Sequence, residues 1–104
     1  MLKIKRGDTL ELYGQLLDDG QPVDMTGWQV DCWVRDGKGR IVHKFVAVLT
    51  NPPAGRYTLT ASSATTRGWQ EGPLETDVRY QDGGGFVMHT CTLPLLVTDA
   101  VTVP

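Results

Sequence analysis

Residues 74–81, with the sequence LETDVRYQ, decide the fold class because their side chains alternate strictly in character. The apolar or β-branched set is Leu74, Thr76, Val78 and Tyr80, and the polar set is Glu75, Asp77, Arg79 and Gln81. A period of two is typical of a strand that buries one face and exposes the other. We therefore predict a half-buried strand here.

The same period extends outward in both directions along the chain. Strands are predicted over residues 9–17, 28–35, 40–50, 56–61, 86–93, 95–97 and 101–103. Inner faces are expected from Leu10, Leu12 and Leu16, from Trp28, Val30, Cys32 and Val34, and from Tyr57 and Leu59. The register of residues 40–50 stays open, because Ile41, Phe45 and Leu49 compete with Val42, Val46 and Val48 for the inner face.

Turn-forming residues separate these strands at regular intervals. Turns are predicted over residues 18–22, 36–39, 51–55 and 81–85, which are rich in Gly, Pro, Asp and Asn. One helical turn is predicted over residues 62–67, capped by Ser62 or Ser63. The result is an all-β, antiparallel β-sandwich of seven to eight strands with one short helical turn. Gly14 interrupts the inner row of its strand, which indicates a bulge or a close approach of backbone.

Length and composition exclude several classes of protein. The 104 residues, 40% hydrophobic and 21% charged, fit one globular domain over residues 1–104. The net charge is −2 with acids and bases intermixed, so nucleic acid is not an expected partner. No stretch approaches the roughly 20 apolar residues that cross a membrane. Charge interrupts the first residues, so no signal peptide is expected and the chain is expected to stay in the cytoplasm.

The two cysteines and two histidines could form a disulfide or a metal site. Cys32 and Cys91 both fall in predicted strands, so a bridge between sheets is one alternative. Buried free thiols are favoured, because a cytoplasm keeps thiols reduced. With His43 and His89 they supply zinc ligand types, but the short paired spacings of zinc motifs are absent. We expect no metal and no cofactor.

Catalytic groupings are also missing from the sequence. Ser62 and Ser63 lack the glycine-flanked elbow of a serine nucleophile, and no Ser-His-Asp or Cys-His-Asn set stands out. Residues 83–85, three glycines, are followed by neither a helix nor a lysine, so they do not form a phosphate loop. The sequence therefore predicts no catalytic residue and no enzyme.

Three aromatic residues are the candidates for an interaction surface. Tyr13 and Trp33 fall on the outer faces of their strands, and aromatic residues are enriched in binding hot spots. The alternative is that a second sheet or a loop covers them. Trp69 follows Gly68 after the helical turn, where we expect it to close one open end of the sandwich.

The order of several short phrases resembles a known family. They are KRGDT (5–9), DGQPVDMTG (19–27), PAGRYTL (53–59), Ser-x-x-x-Thr (62–66), LETDVRY (74–80) and VTDAVT (97–102). In this order they resemble small immunoglobulin-like tail domains of phages and prophages, similar to the N-terminal domain of the phage baseplate upper protein. The resemblance implies an immunoglobulin-like β-sandwich and a structural part of a virion tail or baseplate. It also implies docking to other phage structural proteins and no catalytic residues.

Two function classes follow, with different surfaces. The first is a phage or prophage structural or assembly protein that docks through a strand edge or an aromatic patch, with itself as a homo-oligomer among its partners. Such a protein would lie in the virion, or in the host bacterial cytoplasm during assembly. The second is a glycan-binding β-sandwich module, in which Tyr13, Trp33 and Trp69 form a stacking platform.

Overall fold

The computed structural model describes residues 2–90 and 92–102, and these form an all-β fold, as predicted. The described residues contain eleven strands, a short 3-10 helix over Pro52–Ala54 and one α-helix, α1 (Ser63–Arg67). The strands are β1 (Leu2–Lys5), β2 (Leu10–Gln15), β3 (Leu17–Asp18), β4 (Gln21–Pro22), β5 (Gln29–Asp36), β6 (Ile41–Lys44), β7 (Val46–Asn51), β8 (Arg56–Ala61), β9 (Gly72–Gln81), β10 (Val87–His89) and β11 (Leu93–Thr98).

Two sheets face each other across a common core. The large sheet has the order β1-β11-β9-β5-β6, and β10 also pairs with β9. The small sheet has the order β2-β8-β7, and β3 with β4 forms a separate hairpin. The pairings are antiparallel with one exception: β1 runs parallel to β11, with Leu2 opposite Leu95. The sequence analysis predicted an antiparallel sandwich and did not predict this parallel pairing of β1 with β11.

The predicted alternation builds the core from both sheets. Val30, Cys32 and Val34 of β5 are at most 8% exposed, and they point toward Tyr57 and Leu59 of β8 in one apolar cluster. Removing each of these larger apolar side chains from water contributes roughly 1.5–3 kcal/mol. The strand predicted over residues 74–81 is β9, the strand that joins β5 to β11.

Phe45 divides the long strand predicted over residues 40–50 into two. β6 pairs with β5 in the large sheet, and β7 pairs with β8 in the small sheet. Phe45 lies between them, 7% exposed, and its N–H donates to the carbonyl of Cys32 at 2.8 Å. The single-strand prediction was wrong because the chain changes sheets at this residue.

The C-terminal part also departs from the predicted strands. The strand expected over residues 86–93 is interrupted, and pairing with β9 resumes as β11. The register with β9 shifts by one residue between the pairs His89–Arg79 and Leu93–Thr76. The strand expected over residues 101–103 is not found at Val101 and Thr102, and Val103 lies outside the described residues.

The helical turn forms where the sequence predicted it, and Ser62 is its cap. The Ser62 hydroxyl accepts a hydrogen bond from the Thr65 N–H at 3.2 Å. The helix is tied to the connection between β1 and β2. The Thr66 hydroxyl donates to the carbonyl of Asp8 at 2.6 Å and accepts from the N–H of Gly7 at 3.1 Å.

Candidate interaction surfaces

The three predicted aromatic residues do not share one surface. Tyr13 is 76% exposed on the outer face of the small sheet, and Trp33 is 39% exposed on the outer face of the large sheet. These faces point in opposite directions. Trp69 is only 3% exposed, so it cannot belong to an exposed interaction surface, and that prediction was wrong. A platform made of all three rings does not exist in this fold.

Trp69 is instead a core residue beside the point where the chain changes sheets. Its ring meets Phe45 edge-on, with centroids 6.5 Å apart, and lies 5.8 Å from the ring of His43. Its indole N–H is buried without a hydrogen-bond partner among the described residues. The sequence predicted that Trp69 closes one open end of the sandwich, but it did not predict the packing against β6 and Phe45, because these residues are distant in sequence.

Trp33 lies at the centre of a charged face on the large sheet. Its neighbour across the strand pair on one side is Lys44 of β6, and on the other it is Asp77 of β9. The Lys44 ammonium lies 4.3 Å from the ring centroid, within cation–π range, and the Arg35 guanidinium lies 5.9 Å from it. One of the two ring faces is therefore already in contact with a cation.

An open groove of about 410 Å³ runs beside Trp33. The ion pair between Arg79 and Asp31, 3.4 Å apart, forms part of its wall, and His89 also lines the groove. Both charged side chains are about one-third exposed, so the pair contributes at most ~1 kcal/mol to stability. The groove carries charges of both signs around one indole ring.

The small sheet exposes a second surface, whose β7 edge carries two valines. Val46 and Val48 of β7 are 64% and 53% exposed. Val48 lies in one row with Thr58 and Tyr13 across the three strands, and Val46 lies in the next row with Thr60 and Glu11. The valines therefore continue from the exposed tyrosine to the free side of the sheet.

β7 is an edge strand, and its sequence VAVLTN contains no charged residue. Three other edge strands carry charge: Lys3 and Lys5 in β1, Glu11 in β2 and Lys44 in β6. β10 pairs only with β9 and also has no Asp, Glu, Lys or Arg, but it is only three residues long. Proteins usually protect an edge strand with charge, proline or a bulge, because its unpaired backbone groups can pair with another chain. β7 has only a bulge near its end, between Leu49 and Asn51.

We define the β7 edge as residues Val46–Leu49 together with the exposed faces of Val46 and Val48. The sequence analysis did not predict this edge, although the pattern of residues 40–50 could have indicated it. Residues 40–50 carried apolar residues on both faces, which made their register ambiguous. The structure explains that ambiguity, because one apolar set, including Phe45, faces the core and the other, including Val46 and Val48, faces outward.

Cys32 and His89 lie on opposite faces of the large sheet. Cys32 is a buried free thiol on the inner face of β5, 3.1 Å from the Thr76 hydroxyl, and burial raises its pKa. His89 is exposed at the groove on the outer side of the same sheet, and Cys91 lies outside the described residues. Within residues 2–90 and 92–102, no group of three or more His, Cys, Asp or Glu side chains could hold a metal ion.

None of the described helical residues form a helix of the length and apolarity needed to cross a membrane.

The fold is similar to that of a phage protein domain. The N-terminal domain of ORF48 of phage TP901-1 superimposes with a TM-score of 0.62 and 18% sequence identity, over 93% of this chain and 83% of that domain's chain. At this identity the likeness concerns the fold. It supports the predicted resemblance to phage domains at that level. No protein-family model matches the chain, and no curated protein sequence matches it.

Proposed function

We propose that this chain is a non-catalytic structural or assembly protein of a phage or prophage, a tail or baseplate component that docks to other virion proteins. The likeness in fold to a phage protein domain supports the phage assignment. The observation that carries the docking mechanism is the β7 edge, an unprotected, uncharged strand with two exposed valines.

An edge of this kind provides affinity without a specialised motif. A partner strand laid along β7 would form main-chain hydrogen bonds with backbone groups that β8 leaves unpaired. Covering Val46 and Val48 would remove apolar surface from water, at about 25 cal/mol per Å² buried. The immunoglobulin-like character of the sandwich and its place in the virion, or in the host cytoplasm during assembly, belong to the same proposal.

A specific observation also favours glycan binding as a second candidate. Trp33 lies beside an open groove that contains carboxylates and a guanidinium, a combination suited to stacking a sugar ring and bonding its hydroxyls. Lys44 covers part of the indole, so a sugar would have to stack on the remaining surface or displace the ammonium. Tryptophan fluorescence titration of the wild type and of Trp33→Ala against a sugar panel separates the candidates. Saturable quenching that is lost in Trp33→Ala would favour the glycan module.

The proposed function is tested by mass spectrometry of purified phage particles from a host that encodes the chain. We expect the chain in the particles, and we expect Val48→Lys to reduce its incorporation. The matched control is Val87→Lys, which places the same charge on an exposed valine of β10 in the other sheet. Absence of the wild-type chain both from particles and from assembly intermediates would overturn the proposal.

A further inference from the structure

We infer that the β7 edge pairs with the β7 edge of a second copy of this chain, giving a symmetric dimer. This inference rests on the proposed function and names one partner and one surface for it. The two copies would run antiparallel, so that the two small sheets join into one continuous sheet with the order β2-β8-β7-β7-β8-β2.

Charge and length together distinguish β7 from the other edges, because β10 is uncharged but has only three residues against six in β7. An antiparallel self-pairing of β1 centred on Ile4 would place Lys3 of one copy opposite Lys5 of the other, and like charges directly opposite each other are destabilising. Residues Val46–Asn51 carry no charge, so two copies meet along β7 without repulsion. The nearest charged residue in the adjoining strand is Lys44.

The pleat restricts the register to pairings centred on a residue, and two of these centre on the middle of the apolar segment. Side chains opposite each other in an antiparallel pair lie on the same face, so the two-fold axis must pass through a residue rather than between residues. Centred on Ala47, the pairing places Val46 opposite Val48 and Lys44 opposite Thr50. Centred on Val48, it places Val48 opposite Val48 and Val46 opposite Thr50. In both registers the exposed valines of the two copies meet on one face, and no lysine faces another lysine.

Such a contact is self-limiting. In a two-fold contact the same patch is used by both subunits, so pairing consumes both β7 edges and assembly stops at two copies. The bulge between Leu49 and Asn51 ends the regular pairing, which confines the contact to the first part of the strand.

The test is the mass in solution, measured by light scattering after size exclusion at several concentrations, for the wild type, Val48→Lys and Val87→Lys. We expect the wild type and Val87→Lys to reach twice the monomer mass as concentration rises, and Val48→Lys to stay monomeric with an unchanged circular dichroism spectrum. If Val48→Lys unfolds, Val46→Lys is measured in its place. Amide hydrogen exchange provides a second readout, with added protection of Val46–Leu49 at high concentration.

Each outcome decides the inference. A wild type that stays monomeric at every concentration overturns it, and so does a dimer that Val48→Lys leaves intact. A monomer that is nevertheless found in phage particles overturns the dimer and leaves the proposed function standing, with the β7 edge accepting a strand from a different virion protein. If the chain forms the β7 dimer but is absent from particles and assembly intermediates, the dimer stands and the proposed function is overturned.

Discussion

The hydroxyl groups of Tyr57 and Tyr80 are hydrogen-bonded to each other at 2.6 Å and connect the two sheets through the core. Tyr57 belongs to β8 and Tyr80 to β9, and their rings meet edge-on with centroids 5.8 Å apart. Burial, together with this hydrogen bond, raises the pKa of Tyr80 well above its ordinary value. Each hydroxyl is the partner that allows the other to be buried.

The pair predicts a non-additive double-mutant cycle. Tyr57→Phe or Tyr80→Phe leaves one buried hydroxyl without its partner, and we expect each to cost about 1–3 kcal/mol of unfolding free energy. The double variant removes both polar groups, so its cost should be clearly smaller than the sum of the two. Urea denaturation of all four proteins measures the cycle. Strict additivity would contradict the direct interaction.

Gly14 predicts a second stability effect, because the ring of Tyr57 lies where a side chain would begin. A Cβ at residue 14 would overlap the ring and hydroxyl of Tyr57, which is buried and fixed by Tyr80. Replacing a strand glycine by alanine ordinarily gains roughly 0.5–1 kcal/mol, whereas overpacking costs roughly 1–3 kcal/mol. We therefore expect Gly14→Ala to be destabilising in thermal and urea denaturation.

The control for Gly14→Ala is Gly83→Ala. A Cβ at Gly83 meets nothing within 4 Å, and its φ is not positive, so this change should be nearly neutral. Equal effects of the two substitutions would show that Tyr57 moves aside without cost.

We predict that the hydroxyl group of Thr66 holds the helical turn against the connection between β1 and β2. Thr66 is fully buried, and Thr66→Val keeps its shape while removing the hydrogen bonds to Gly7 and Asp8. We expect a loss of about 1–3 kcal/mol in unfolding free energy. Thr60→Val, on the outer face of β8, should change it by at most about 0.5 kcal/mol. Similar losses for both would contradict a specific role of the Thr66 hydroxyl.

Local patterns explain what could be predicted of this fold. The alternation in β5 and β9 correctly assigned inner and outer faces, because period two is a property of neighbouring residues. The turn at Asp19 and Gly20 adopts positive φ at both residues, 50° and 79°, as their residue types indicated. Ser62 likewise proved to be the helix cap.

Long-range packing explains what could not be predicted. Residues 40–50 contain no Gly or Pro and carry apolar residues on both faces, so no turn signal shows that the chain changes sheets at Phe45. The parallel pairing of β1 with β11 joins the two ends of the described chain. Trp69 is buried by Phe45 and His43, which are distant in sequence. For the surfaces, alternation correctly placed Tyr13 and Trp33 outside, while their role in binding stays a prediction.

His43 predicts a loss of stability in mildly acidic solution. Burial beside Phe45 and Trp69 lowers the pKa of His43 below its ordinary value, because the charged form is poorly solvated there. In the unfolded chain the His43 imidazole takes up a proton near pH 6.5, at about the ordinary histidine pKa. In the folded chain it takes up the proton only at a lower pH. Unfolding is therefore favoured as pH falls below about 6.5, and the effect levels off below the folded pKa.

The measurement is the melting temperature between about pH 7.5 and 5.5 for the wild type, His43→Phe and His89→Gln. We expect His43→Phe to flatten the decline, since it keeps a ring beside Trp69 without a titrating group. His89 is exposed, so His89→Gln should retain the wild-type slope. Glu71, whose pKa is raised by its hydrogen bond to Asp99, has the opposite sign: its protonation on acidification favours the folded state. Glu71 is present in all three proteins, so its contribution to the pH dependence is the same in each. If the melting temperature of His43→Phe declines with pH as steeply as that of the wild type, His43 does not cause the acid-induced loss of stability.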